Sequence, residues 1–85
     1  MNLKLIFNKI SNENITIELK NGLLINGILF KTDNKMNFFL KNVKIYTKTS
    51  TPSHQGSIYV RGNTIRYIFI PEWLNIDFLF TNIIN

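Results

Sequence analysis

The sequence predicts a mostly β domain: an N-terminal helix followed by a strongly bent five-stranded antiparallel sheet. Three observations carry this reading. Apolar spacing changes from a helical to a strand period near Asn14. Turn-forming residues recur between the strand-like runs, and a glycine interrupts the second run.

Leu3, Ile6, Phe7 and Ile10 fall at i, i+3, i+4 and i+7, one face of a short helix that Ser11 or Asn12 ends. Two turns are marginal alone, so this face must pack on something. From Asn14, Ile15, Ile17 and Leu19 alternate with Thr16, Glu18 and Lys20, as in a half-buried strand. Asn21-Gly22 then signals a type I′ hairpin turn. The second strand runs from about Leu23 to Thr32, and its interior Gly27 marks a sharp bend or a close backbone approach.

Asp33-Asn34-Lys35 reads as a turn. The third strand runs from Met36 to about Lys48, and its alternation slips near Asn42, which predicts a bulge. Thr49 to Gly56 is a loop by its turn chemistry. A fourth strand spans Ser57 to Arg61, Gly62-Asn63 makes a tight turn, and a fifth strand runs from Thr64 to Ile70, where Pro71 stops it. Beyond Glu72, the apolar load of Trp73, Leu74, Ile76, Phe78, Leu79 and Phe80 predicts a tail docked on the domain or on a partner. Short strands joined by tight turns suggest a small barrel, SH3-like or OB-like, and neither assignment decides function.

At 85 residues the expectation is one domain. The absence of cysteine excludes a disulfide framework and a thiolate zinc site. The apolar runs are short and interrupted, which predicts no membrane span and no secretory signal, hence a soluble intracellular protein. There is no alanine, while Ile, Asn, Lys and Phe abound, the pattern of drift toward A/T-rich codons. That bias discounts the lysine count and gives weight to Arg61 and Arg66.

Catalysis has little support. The single histidine, His54, lies in the predicted loop, and Glu13, Glu18, Asp33, Glu72 and Asp77 form no pair at i, i+3 or i, i+4. No set of metal ligands or cofactor motif is visible. The net charge of +5 favours phosphate-bearing partners. Arg61-Gly62-Asn63 sets a planar cation, a residue tolerant of close approach and an amide at one turn. Asp33 to Asn37 form a second turn, in which Asp33 can accept loop amide hydrogen bonds and hold Asn37, with Met36 between polar neighbours. Each turn also has an ordinary structural explanation.

Taken together, these residues resemble the Sm and Sm-like family of RNA-binding ring proteins. The stretch from Ile15 to Leu40 is similar to the first family motif, through Leu19-Lys20-Asn21-Gly22, Gly27 and Asp33-x-x-Met36-Asn37-x-x-Leu40. Tyr59-Val60-Arg61-Gly62-Asn63-Thr64-Ile65 is similar to the other family motif. Leu40-Lys41-Asn42-Val43-Lys44, Ile65-Arg66-Tyr67 and Pro71-Glu72-x-Leu74-x-Ile76-Asp77 resemble the D subclass of spliceosomal Sm proteins.

The resemblance implies one Sm domain over residues 1–85. Its parts are a helix (1–12), a first motif (14–48), a variable loop (49–56), a second motif (57–70) and an apolar tail (71–85). It implies an open, SH3-like barrel whose edges, Ser57–Arg61 and Thr64–Ile70, pair with neighbouring subunits. It further implies a nuclear, non-enzymatic, cofactor-free core subunit of a seven-membered heteromeric ring. The subunit would sit between Sm D2 and Sm B in a ring on the uridine-rich Sm site of spliceosomal small nuclear RNAs, with cytoplasmic assembly as an option. The alternatives are an Sm-like ring subunit in RNA decay or RNA chaperoning, or a monomeric SH3-like protein-binding module. The RNA-binding residues carried over are Lys35, Asn37, Arg61, Gly62 and Asn63, with Asp33 and Met36 supporting the first loop. The subclass's Arg-Gly-rich tail is not among these residues, so its methylation is not expected.

Overall fold

A computed structural model describes residues 3–71. The expected docking of the tail after Glu72 lies outside the described residues. The elements are α1 (Leu3–Lys9), β1 (Asn14–Leu19), β2 (Leu24–Thr32), β3 (Phe38–Tyr46), β4 (Ser53–Val60), a 3-10 turn (Gly62–Thr64) and β5 (Ile65–Phe69). The strands form one antiparallel sheet in the order β4-β3-β2-β1-β5, so β4 and β5 are its edges. No helix among the described residues is long and apolar enough to cross a membrane.

The inward positions of the strands make the core: Ile15 and Ile17 of β1, Ile25 and Leu29 of β2, Phe38, Leu40 and Val43 of β3, and Val60 of β4. The helix and the turn that follows it close the core with buried Ile6 and Ile10, while Phe7 meets Phe38 edge to face at 5.0 Å. Of the spacing read from the sequence, Ile6, Phe7 and Ile10 are therefore a packing face. Asn12, in the left-handed region at φ 70°, turns the chain out of the helix, and its amide donates to the Leu29 carbonyl.

Two irregularities re-aim the long strands. Gly27 stands opposite both Asn42 and Val43 of β3, with Asn42 at φ 52°; this is the bulge expected there. A Cβ on Gly27 would lie 3.1 Å from the Lys41 carbonyl oxygen, which is the close approach the sequence suggested. A second shift, between Leu29 and Lys31, leaves Phe30 as an extra residue on β2. Leu29 points into the core, and Phe30 and Lys31 both lie exposed.

Several boundaries differ from the sequence reading. The first hairpin is not a two-residue type I′ turn. The Gly22 amide donates to the Leu19 carbonyl, and only Gly22 of the turn has positive φ (92°). This describes a three-residue loop, a type I turn plus a left-handed residue, in which Asn21 accepts from the Leu23 amide. β3 starts at Phe38 rather than Met36, because Met36 sits at φ 62° inside the preceding loop. β4 begins at Ser53, so half of the expected 49–56 loop is strand. Ser53, His54 and Gln55 pair with Ile45, Lys44 and Val43. An edge strand with solvent on both sides at this end needs no apolar alternation, which is why the polar run hid it.

Candidate functional site

The first loop is built around Asp33. Its Oδ1 accepts from the amides of Lys35 (2.9 Å) and Asn37 (3.0 Å), and its Oδ2 accepts from Asn37 Nδ2 (3.0 Å). Backbone hydrogen bonds from Asp33 N to Asn37 O and from Met36 N to Asp33 O close the turn. The carboxylate thus organises the loop, as the sequence reading expected.

Donation from the Asn37 backbone and then from its side chain, with smaller help from Lys35, holds the Asp33 carboxyl below its ordinary value of 3.8. A depressed carboxyl stabilises the folded loop fully above that ordinary value and loses its contribution as pH falls through the lowered one. Asn37 and Gly62 amide resonances should therefore hold their native positions down to about pH 3.8, the ordinary value, and shift only below it. Asp33→Asn should abolish that acid transition, and an unchanged transition would mean Asp33 does not organise the loop.

The second loop begins at Arg61, whose carbonyl accepts from Thr64 N (3.0 Å) and Thr64 Oγ1 (2.6 Å). One bond ties the two loops together: the Gly62 amide donates to Asn37 Oδ1 at 2.9 Å, across a separation of 25 residues in sequence. Gly62 packs so tightly on the first loop that a Cβ there would overlap the Met36 carbonyl.

Between the loops lies an open cleft of about 380 Å³ lined by Lys35, Asn37, Tyr59, Arg61 and Asn63. Four of these were named from the sequence. Gly62 contributes backbone, while Asp33 and Met36 shape the loop from behind. Tyr59 was missed as a site residue; it is exposed on β4, between inward Ile58 and Val60, an alternation that could have revealed it. Arg66, marked as unusual in the sequence, serves the sheet instead. It donates to the Lys20 carbonyl at 3.0 Å and lies 3.8 Å from Glu18.

Among the described residues, the lining combines two cationic side chains, an aromatic ring and two amides, with no carboxylate. After its bonds to Asp33 and Gly62, the Asn37 carboxamide retains one N–H and one oxygen lone pair. That leaves an adjacent donor and acceptor, held rigid, beside the planar cation of Arg61.

Fold and cleft together define a small β-sheet domain that holds a polar cleft between two loops and whose two edge strands, among the described residues, have no further strand beside them. Residues 5–70 match the model of the LSM domain. The chain is 49% identical over 59 residues to "Probable U6 snRNA-associated Sm-like protein LSm4" of Dictyostelium discoideum, covering 68% of this chain and 33% of that protein. It is 32% identical over 106 aligned positions to "Small nuclear ribonucleoprotein Sm D1" of Saccharomyces cerevisiae, covering 93% of this chain and 73% of that one. A solved heptameric archaeal Sm protein superposes with a TM-score of 0.70 at 20% identity, covering 79% of this chain and 98% of that chain, a likeness of fold. The chain belongs to the LSM domain family of Sm and Sm-like proteins.

Proposed function

We propose that this chain is a subunit of an Sm-type ring that binds single-stranded, uridine-rich RNA in the cleft between its two loops. The observation that carries the reading is the Asn37–Gly62 bond, which sets the remaining amide donor and acceptor of Asn37 beside Arg61. The N3–H and C4=O of uracil are an adjacent donor and acceptor, complementary to that pair. Arg61 can stack on the base face, and Lys35 reaches a phosphate from the rim. Edge strands β4 and β5, with no further strand beside them among the described residues, offer backbone groups to neighbouring subunits. Likeness to a heptameric archaeal Sm protein supports ring assembly.

Arg61→Ala should weaken oligouridine binding by the assembled protein by about 1–3 kcal/mol, measured by anisotropy at fixed salt. Unchanged affinity would remove Arg61 from the site.

Within this reading, the chain is a spliceosomal Sm core subunit of the Sm D1 type, nuclear, flanked by Sm D2 and Sm B on a small nuclear RNA. The long alignment with Sm D1 supports it. A second reading, an Sm-like ring of the U6-associated or RNA-decay kind, draws on the 49% identity to LSm4. Native mass spectrometry separates them. A one-to-one complex with added Sm D2 supports the core reading, a closed ring of this chain alone or pairing with Sm-like subunits supports the second, and an indifferent monomer sinks ring assembly.

A further inference from the structure

The outer face of the sheet, opposite the core, carries an aromatic and basic surface. Lys31, Phe39 and Tyr59 are register partners across β2, β3 and β4. The Phe39 and Tyr59 rings meet at 4.6 Å, and Lys31 Nζ lies 4.9 Å from the centre of the Phe39 ring. Lys41 Nζ sits 3.8 Å from the centre of the Phe30 ring. Phe30 and Tyr59 are 46% and 44% exposed. Between them opens a groove of about 400 Å³ with no carboxylate among the described residues of its lining.

We propose that this face is a second stacking surface for the same RNA strand, contiguous with the loop cleft through Tyr59. The inference rests on the cleft being an RNA site. Three observations favour a nucleic-acid occupant. Tyr59 lines both the cleft and the groove, so a strand leaving the cleft meets the outer face without a gap. Lys31 and Lys41 hold their charges against aromatic rings, where a phosphate can be met beside a stacked base. The bulge at Phe30 is what turns that ring outward next to Lys31; a regular strand would send one of the two into the core. Exposed rings on a sheet face with flanking cations suit splayed bases, whose faces stack without regard to sequence.

The test compares two oligouridines on the full-length protein in its assembled form, one of four nucleotides and one of ten. Phe30→Ala should weaken the longer oligomer about tenfold and leave the shorter within about twofold. Lys41→Gln should also lower the salt dependence of the longer oligomer, by about 0.7 in log–log slope for each phosphate that is no longer neutralised. Thermal melting checks that both variants fold, and the exposure of Phe30 and Lys41 predicts little change. If both variants bind the ten-mer as the unaltered protein does, the second surface is refuted, the cleft stands, and the face is left to a protein partner. Equal losses for both lengths would also refute it, because the effect would then be structural. If the unaltered protein binds neither oligomer, the RNA reading itself fails and takes this inference with it.

Discussion

Phe38→Ala should cost about 3–5 kcal/mol of stability, read as a lowered midpoint in urea unfolding. Phe38 is 1% exposed, stands at the head of β3 and receives the Phe7 ring of the helix edge to face. A domain of this length is worth roughly 4–13 kcal/mol in all, at about 0.05–0.15 kcal/mol per residue, so this one truncation consumes a large share of it. Phe38 also follows Asn37 directly, so its burial anchors the loop that carries the cleft. The Asn37–Gly62 bond should therefore loosen as well, seen as faster exchange of the Gly62 amide. A loss under about 1 kcal/mol would mean that the helix does not close over this end of the sheet.

Gly62→Ala should damage the site more than removal of any one cleft side chain. The added methyl has nowhere to go, because the obstacle is the Met36 carbonyl, a backbone group held by the Asp33 loop. One loop must move, and the Asn37–Gly62 bond goes with it. The expected cost is about 1–3 kcal/mol of stability, with a loss of oligouridine affinity larger than that of Arg61→Ala. Gly56→Ala on β4 is the control: a Cβ there meets nothing within 4 Å, so stability and binding should stay near those of the unaltered protein. Equal behaviour of the two alanine variants would remove close approach as the reason for Gly62.

Both predictions turn on contacts between segments far apart in sequence, and this marks how much was legible beforehand. The strands with an apolar face could be read because alternation records burial on one side of a sheet. Ile15 and Ile17 point in, and Thr16 and Glu18 do not. The bulge at Asn42 was legible for the same reason, as a slip in that alternation. The first half of β4 was not, because Ser53 to Gly56 bury nothing and owe their strand form to pairing with β3. The type I′ expectation for Asn21-Gly22 failed because a dipeptide suits more than one loop length, and the registers of both flanking strands choose between them.

Residue order alone supplies the parts. It places a short helix before five strands, singles out Asp33, Asn37, Arg61 and Asn63 through two turns, and excludes disulfide and thiolate metal chemistry. How those parts meet is settled in three dimensions. Folding joins the turns through one amide hydrogen bond, adds Tyr59 to the cleft wall, draws Arg66 back to the sheet, and turns Phe30 outward at a bulge that no local pattern announced. The difference is one of range. Periodicity and turn chemistry act within a few residues, whereas a hydrogen bond between Asn37 and Gly62 exists only once β3 and β4 have paired in register.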